Sequence, residues 1–448
     1  MARKTIIVFL AMVSCVTADR RPSTLNVVAD CPGVVADGAT PLSAVLQKCA
    51  DACTASSDCA ALYFPAGAYL LDGAPGLAFD PIARAPSSVT GVGIVGDGRG
   101  TVLLWAGAGD LLRWTAPVNR ATIDSFQVQA AATAKPPNAT ALRFARGVTQ
   151  SIVRDVLITS SPDNRFMPAS GVDLGVGYVT DTVEVIRPLF QNIQGTGISV
   201  GHGSEVRIEG GRVFGSRSEA ANGTSVWTPG SIGLHVTGNN GGVHVMGTDL
   251  IGLEQGLVLD NSSGAGSNRE IFLVQATLDS NWRGLVVRDN SYVDFSGVWT
   301  ASSGDANIWV SPASGGALLS LTGGTIFNAG TYAKGAPKPG AANGLVVHAG
   351  SLALSGVTVR NNKGVGLWTK APLDAFTVSG CKFYGNGKNL ELQGDGYAVT
   401  GNVFAAGASP STIAPGAKTA VVANNVGLDT GGSVEAEYSA SLDDVNQF

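Results

Sequence analysis

The sequence predicts an all-β chain wound as a single-stranded right-handed parallel β-helix, a solenoid with a short N-terminal capping helix. Three observations predict it. First, a strand signal recurs at Glu209-Gly210-Gly211-Arg212-Val213, Met246-Gly247-Thr248-Asp249-Leu250, Ser296-Gly297-Val298-Trp299, Thr322-Gly323-Gly324-Thr325-Ile326, Ser355-Gly356-Val357-Thr358-Val359, Ser379-Gly380-Cys381-Lys382-Phe383 and Thr400-Gly401-Asn402-Val403-Phe404. One more copy, Val274-Gln275-Ala276-Thr277-Leu278, lacks the glycine, and the steps at that position are 37, 28, 22, 26, 33, 24 and 21 residues. Second, short runs such as Gly233-Leu234-His235-Val236, Gly256-Leu257-Val258-Leu259 and Gly284-Leu285-Val286-Val287 interleave with the first signal. Third, 60 glycines with only 14% charged and 7% aromatic residues suit a turn-rich β fold. Units this short cannot close a core alone, but stacked they bury one continuously. A propeller blade needs roughly 40–50 residues, too many for this period.

The chain opens with Arg3 and Lys4, an apolar stretch from Thr5 to Val16 and a small-residue Val16-Thr17-Ala18. Residues 1–18 therefore read as a signal peptide, which predicts a secreted, extracellular protein. Residues 19–430 read as one β-helix domain and 431–448 as an acidic tail. Cys31, Cys49, Cys53 and Cys59 crowd together, as expected of two disulfides in an exported chain, with three possible pairings. No histidine lies nearby, which disfavours zinc. Cys381 sits one residue after a repeat glycine and reads as a buried thiol.

Residues 19–30 read as a leader. Thr40-Pro41 reads as N-cap and first helical residue of a helix over about 40–54, with Leu42, Val45, Leu46 and Cys49 at helical spacing, covering the open end of the solenoid. Ala61 to Pro65 reads as a strand entering a turn, and three short apolar runs follow between 92 and 130. Segments 160–180, 215–231, 261–268 and 328–343 read as long loops. Asn138, Asn222 and Asn261 open Asn-x-Ser/Thr sequons, glycosylated in a eukaryotic host.

Gly33-Val34-Val35-Ala36-Asp37-Gly38-Ala39-Thr40, Tyr63-Phe64-Pro65-Ala66-Gly67-Ala68-Tyr69-Leu70-Leu71 and Ile94-Val95-Gly96-Asp97-Gly98-Arg99-Gly100-Thr101-Val102-Leu103 together resemble the opening of the pectate-lyase-like β-helix superfamily. The likeness is to the branch holding rhamnogalacturonase/epimerase-like domains and viral tail spikes. Pro41-Leu42-Ser43 departs from it, standing where that branch has Asp-Asp-Thr. The resemblance implies a polysaccharide-active hydrolase, lyase or epimerase, although the same superfamily holds non-catalytic adhesins. Tail-spike relatives also imply a monomer or homotrimer.

The polygalacturonase pattern is incomplete. Gly201-His202-Gly203 matches one part, Arg207-Ile208-Glu209 replaces an Arg-x-Lys, and the Asp-Asp pair is missing at Gly195 to Ile198. His202 reads as a turn residue, His235 and His244 as packed or surface residues, and His348 as a strand end. No dense aspartate cluster suggests calcium, so the expectation is no metal and no cofactor, with calcium reserved for a lyase. Net charge −5 without a basic stripe argues against nucleic acid, and no apolar run beyond the signal suggests a membrane, leaving polysaccharide as partner.

Strand alternation supplies the site. Counting from the repeat glycine, positions +1 and +3 point inward, as Val213, Leu250, Leu278, Val298, Ile326, Val357, Val359, Phe383 and Phe404 require. Positions +2 and +4 then face out, among them Arg212, Asp249, Asp279, Trp299, Phe327, Arg360 and Tyr384. Asp249 and Asp279 should lie on neighbouring coils two residues apart, roughly 8 Å from strand spacing and rise. That falls inside the roughly 6.5–9.5 Å window of inverting glycosidases. Asp249 or Glu254 would donate the proton, Asp279 would activate water, and Arg283 and Arg212 would orient substrate. Trp282, Trp299, Arg360 and Tyr384 would bind sugar. A lyase or epimerase acting on uronate polymers, and a non-catalytic binding or structural protein, are the alternatives.

Overall fold

The structure is a computed structural model that describes residues 23–56, 58–80, 91–131, 138–163, 166–219, 225–238, 240–260, 269–314, 316–331, 341–394, 396–405, 407–413 and 421–429. The expected signal peptide, the acidic tail, Asn222 and Asn261 lie outside these residues.

Each coil contributes three strands. One coil runs Asn240–Met246, Asp249–Ile251 and Gln255–Asp260, and the next runs Arg269–Val274, Thr277–Asp279 and Arg283–Val287. The first two strands of a coil join one long sheet, while the third joins a separate sheet of 13 strands. Coil pairs on coil in parallel, as in Asp249↔Thr277↔Trp299 and Leu257↔Leu285↔Ile308. This is a single-stranded right-handed parallel β-helix. No described helix is long and apolar enough to cross a membrane.

The first glycine signal marks the bend between the first two strands. Gly210, Gly247, Gly297, Gly323, Gly356, Gly380 and Gly401 hold φ between 58° and 64°, the left-handed region where a side chain costs energy. Gln275, the copy without glycine, takes φ 50° at the same station. The bends hydrogen-bond up the stack: Gly247 N–H donates to Val274 O at 2.9 Å, Gln275 to Ser296 O at 3.0 Å and Gly297 to Thr322 O at 3.0 Å. The second glycine signal has a different cause. Gly233, Gly256 and Gly284 stack in the second sheet, and a methyl on Gly256 would lie 2.6 Å from the carbonyl oxygen of Gly284. There the coils leave no room for Cβ.

Inside, Leu257, Leu285, Ile308, Leu345, Leu367 and Leu390 form a buried aliphatic column. Phe79, Trp114 and Phe144 stack at 5.0 and 4.6 Å. Buried asparagines link the corners: Asn307 Nδ2 donates to Asn362 Oδ1 at 3.2 Å, and Asn362 Nδ2 to Asn386 Oδ1 at 2.9 Å. These bonds satisfy amide groups that burial would otherwise penalise. Cys381 is buried as a free thiol, and burial raises its pKa.

The N-terminal end differs from expectation in detail. The helix spans Ser43–Ala55, not 40–54, and Thr40 is not its cap. Residues Asp37–Pro41 form a strand beside Gly67–Leu71, and the Thr40 hydroxyl donates to Asp37 Oδ2 at 2.7 Å. Hydrogen bonds from Thr40 and Ala39 hold the Asp37 carboxyl at about 2. The helix buries Leu46, Cys49, Ala50 and Cys53. Its Gln47 exchanges two hydrogen bonds with Ala78, on the edge strand Leu77–Phe79 of the second sheet, at 2.7 and 2.9 Å. The cap thus closes an edge that would otherwise invite pairing. Two disulfides, Cys31–Cys49 and Cys53–Cys59, tie the helix to its surroundings. The leader includes a strand, Ser23–Asn26, paired with Cys59–Phe64. The loop expected at 160–180 contains the second-sheet strand Ser170–Asp173, and that at 215–231 contains an antiparallel hairpin, Arg217–Glu219 with Ser225–Trp227.

Candidate functional site

The strands after the bends build an outward-facing strip two side chains wide. One column reads Arg212, Asp249, Thr277, Trp299, Thr325, Thr358, Lys382 across successive coils. The other reads Phe214, Ile251, Asp279, Ala301, Phe327, Arg360, Tyr384. Their inward neighbours Val213, Leu250, Leu278, Ile326, Val359 and Phe383 are buried. Asp249 and Asp279 are both half-buried on this one face, one coil and two residues apart. The coil spacing and strand rise place them about 8 Å apart. Asp249 is gripped by Arg212, Nε to Oδ2 2.8 Å. Asp279 accepts a hydrogen bond from the Ser280 hydroxyl at 3.0 Å.

Asp249 also lines a groove of about 620 Å³ that runs upstream along the bends, together with Arg99, Asp155, Arg187 and Arg212. Register places Asp155 and Arg187 at the station that Gly210 and Gly247 occupy downstream. Both are left-handed, at φ 53° and 48°, although each carries a side chain. Arg187 binds Asp155 through Nε and Nη2 at 2.7 and 2.5 Å, and this contact lowers the Asp155 pKa against the opposing effect of burial. Arg99 projects from the Gly98–Gly100 turn and is exposed. The groove thus holds three guanidinium groups and two carboxylates, a local positive excess on a chain of net charge −5. Sequence reasoning missed Arg99, Asp155 and Arg187. The readable signal was the 32-residue step from 155 to 187, which continues the bend period without its glycine.

The other expected site residues go elsewhere. Glu254 lies past the corner, where its carboxylate accepts the Gly230 N–H at 2.5 Å. Arg283 opens the third strand, pairs with Asp305 at 2.6 Å and lies 4.3 Å over the Trp309 ring. Trp282 packs on Trp227 of the hairpin at 5.4 Å, and Trp227 Nε1 donates to Ser280 O at 2.7 Å. The 215–231 hairpin is therefore pinned beside Asp279. Trp299, 40% exposed, meets Phe327 edge-on at 4.3 Å, and Arg360 lies 4.3 Å over the same ring. Phe327, expected to face solvent, is only 7% exposed because these two side chains cover it. Tyr384 continues the strip beside Arg360. His202 begins the strand His202–Glu209 instead of sitting in a turn. His244 stacks on Phe272 at 4.9 Å. Asn138 is exposed. Among the described residues no three His, Cys, Asp or Glu side chains converge as metal ligands.

Solved structures share the fold. The A-module of mannuronan C-5 epimerase AlgE4 from Azotobacter vinelandii matches with TM-score 0.54 and 12% identity, over 89% of this chain and 100% of that one. DFA-IIIase from Arthrobacter chlorophenolicus A6, without its lid, matches with TM-score 0.52 and 12% identity, over 90% and 99%. The tailspike protein of E. coli bacteriophage HK620, solved as a double mutant, matches with TM-score 0.52 and 12% identity, over 83% and 64%. By sequence, no protein-family model and no curated protein matches.

Proposed function

We propose that the chain is a secreted, carbohydrate-active β-helix that hydrolyses an acidic polysaccharide with inversion, using Asp249 and Asp279. The observation that carries this reading is the position of the two carboxylates on adjacent coils of one outward face, with Asp249 itself lining an arginine-bearing groove. Their separation of about 8 Å leaves room for a water molecule and the scissile bond between them. The roles expected from the sequence are exchanged here, because the Asp249 carboxylate already accepts the Arg212 guanidinium. Asp249 takes a proton from the attacking water. Asp279, beside the corner pinned by Trp227, protonates the leaving glycosidic oxygen. Arg99, Arg187 and Arg212 would meet carboxylates of the sugar chain. The fold neighbours named as a mannuronan C-5 epimerase and a tailspike lend support to a sugar polymer as ligand.

The arginines also favour a second reading, elimination or epimerisation at a uronate, because neutralising the carboxylate eases removal of the neighbouring proton.

One experiment separates the readings. Purified protein is incubated with polygalacturonate, alginate and neutral glucans, while new reducing ends, unsaturated products and the anomeric configuration are followed. The expected result is inverted reducing ends from an acidic polymer without unsaturated product. Asp249→Asn and Asp279→Asn should each lower the rate roughly a hundredfold to ten-thousandfold. Full hydrolysis by the Asp279→Asn protein would sink the assignment, and unsaturated or C-5-inverted product would replace it with the second reading.

A further inference from the structure

The outer face of the second sheet lies across a corner from Asp249 and Asp279. Register stacks Trp309, Val346 and Trp368 there on successive coils. The two indoles are two coils apart, about 9.6 Å by strand spacing. That is near the length of two sugar residues in an extended chain. Both rings are half-buried, and each carries a cation on its face: Arg283 Cζ 4.3 Å from the Trp309 centroid and Lys370 Nζ 3.9 Å from that of Trp368. His348 meets Trp309 edge-on at 5.8 Å. Arg283 and His348 both lie against Trp309, and the Lys370 backbone N–H donates to the Val347 carbonyl beside His348 at 2.8 Å; burial and then the charges of Lys370 and Arg283 lower the His348 pKa. Asp305 answers Arg283, and Glu391, next in the column, is engaged by Lys388 at 2.9 Å. No described carboxylate pairs with Lys370.

We propose that this face is a second, non-catalytic binding site for an acidic sugar chain, whose rings lie against Trp309 and Trp368 and whose carboxylate or sulfate groups meet Lys370, Arg283 and His348. The sugar's apolar CH face matches the indoles. A cation resting on an aromatic face is generally held more weakly than one hydrogen-bonded to an anion. Lys370 therefore gains by exchanging its ring for an anion. The site would anchor a long polymer while the strip across the corner engages another stretch of it, and effective concentration then multiplies the two affinities.

The test uses the full chain carrying Asp279→Asn, so that binding is read without turnover. It is titrated with polygalacturonate, dextran sulfate and neutral dextran, each alone and again after adding Trp368→Ala or Lys370→Ala. The expected result is an affinity loss of about tenfold for a charged polymer in both added variants. Loss confined to polygalacturonate assigns carboxylate as the ligand, and loss confined to dextran sulfate assigns sulfate. In the protein with native Trp368 and Lys370, the His348 imidazole followed by NMR should titrate at higher pH when the charged polymer is bound. Lys370→Ala alone removes no core atom and keeps the test interpretable if Trp368→Ala misfolds. Unchanged affinity in the Lys370→Ala protein together with an unmoved His348 would overturn the proposal, as would equal binding of neutral dextran. Absence of any hydrolysis by the native chain would count against Asp249 and Asp279 alone.

Discussion

The bend station differs between the two ends of the solenoid. Upstream it holds Ser125, Asp155 and Arg187, at φ 59°, 53° and 48°, and downstream it holds mostly glycine. The backbone path is nearly the same, and the same coil-to-coil hydrogen bond recurs, from Arg187 N–H to Glu209 O at 2.8 Å and from Gly210 N–H to Met246 O at 2.8 Å. What differs is that the upstream coils place side chains where left-handed backbone penalises them by about 1 kcal/mol each. Two of those side chains, Asp155 and Arg187, line the groove that opens onto Asp249. Strain kept where a cheaper residue is used elsewhere in the same stack marks a place with another task. On the proposed function, that task is to present charge at the bend edge.

The largest effect that would break this contrast comes from Arg187→Gly. It should weaken binding of an acidic polymer about tenfold, the value of one charge-assisted contact, and leave neutral polymers unaffected. Stability should stay within about 1 kcal/mol of the native chain, because the exposed Asp155 pair contributes little and the bend strain is released. A stability loss well beyond that, without loss of binding, would make Arg187 a structural residue. The complementary change is Gly356→Ala. A methyl there meets nothing within 4 Å, so only the φ of 64° opposes it. The expected cost is only a few tenths of a kcal/mol in denaturant unfolding, because the lower entropy of the unfolded alanine chain offsets most of the left-handed penalty, with binding untouched. A larger cost would mean that room, as at Gly256, limits the bend after all.

The same contrast explains what the sequence disclosed. The repeat was legible from Gly210 onward because glycine flags a left-handed bend, and it faded upstream because Asp155 and Arg187 take that bend without the flag. Alternation alone put Asp249 and Asp279 on one outward face, since a period of two needs no knowledge of neighbours. The Arg212–Asp249 grip spans 37 residues, and the Asp155–Arg187 pair spans 32, so both depend on register that only stacked coils supply. Glu254 and Trp282 looked like site residues because they lie just before the next strand on the coils of Asp249 and Asp279. Their partners, Gly230 and Trp227, come from a hairpin inserted in an earlier coil, whose docking leaves no periodic trace. The pairing of Cys31 with Cys49 and of Cys53 with Cys59 likewise required the helix to be placed first.

Gln275 gives the finest test, because it is a side chain at the station with glycine, Gly247 and Gly297, on both neighbouring coils. It lies on the coil between Asp249 and Trp299, is exposed and takes φ 50°. Replacing it with glycine removes a left-handed penalty of about 1 kcal/mol but frees the unfolded chain, which returns about 0.5–1 kcal/mol. Gln275→Gly should therefore raise stability by only a few tenths of a kcal/mol. Gln275→Ala retains a Cβ and should fall at or slightly below the native value. If Gln275→Gly instead lowered the affinity for an acidic or neutral polymer, the glutamine would serve the ligand, and the boundary between the ligand-serving and the glycine coils would move downstream by three coils. If neither stability nor binding changed in that order, the left-handed penalty at this station would be smaller than the contrast between Arg187 and Gly210 requires, and the upstream side chains would need no functional reason to persist.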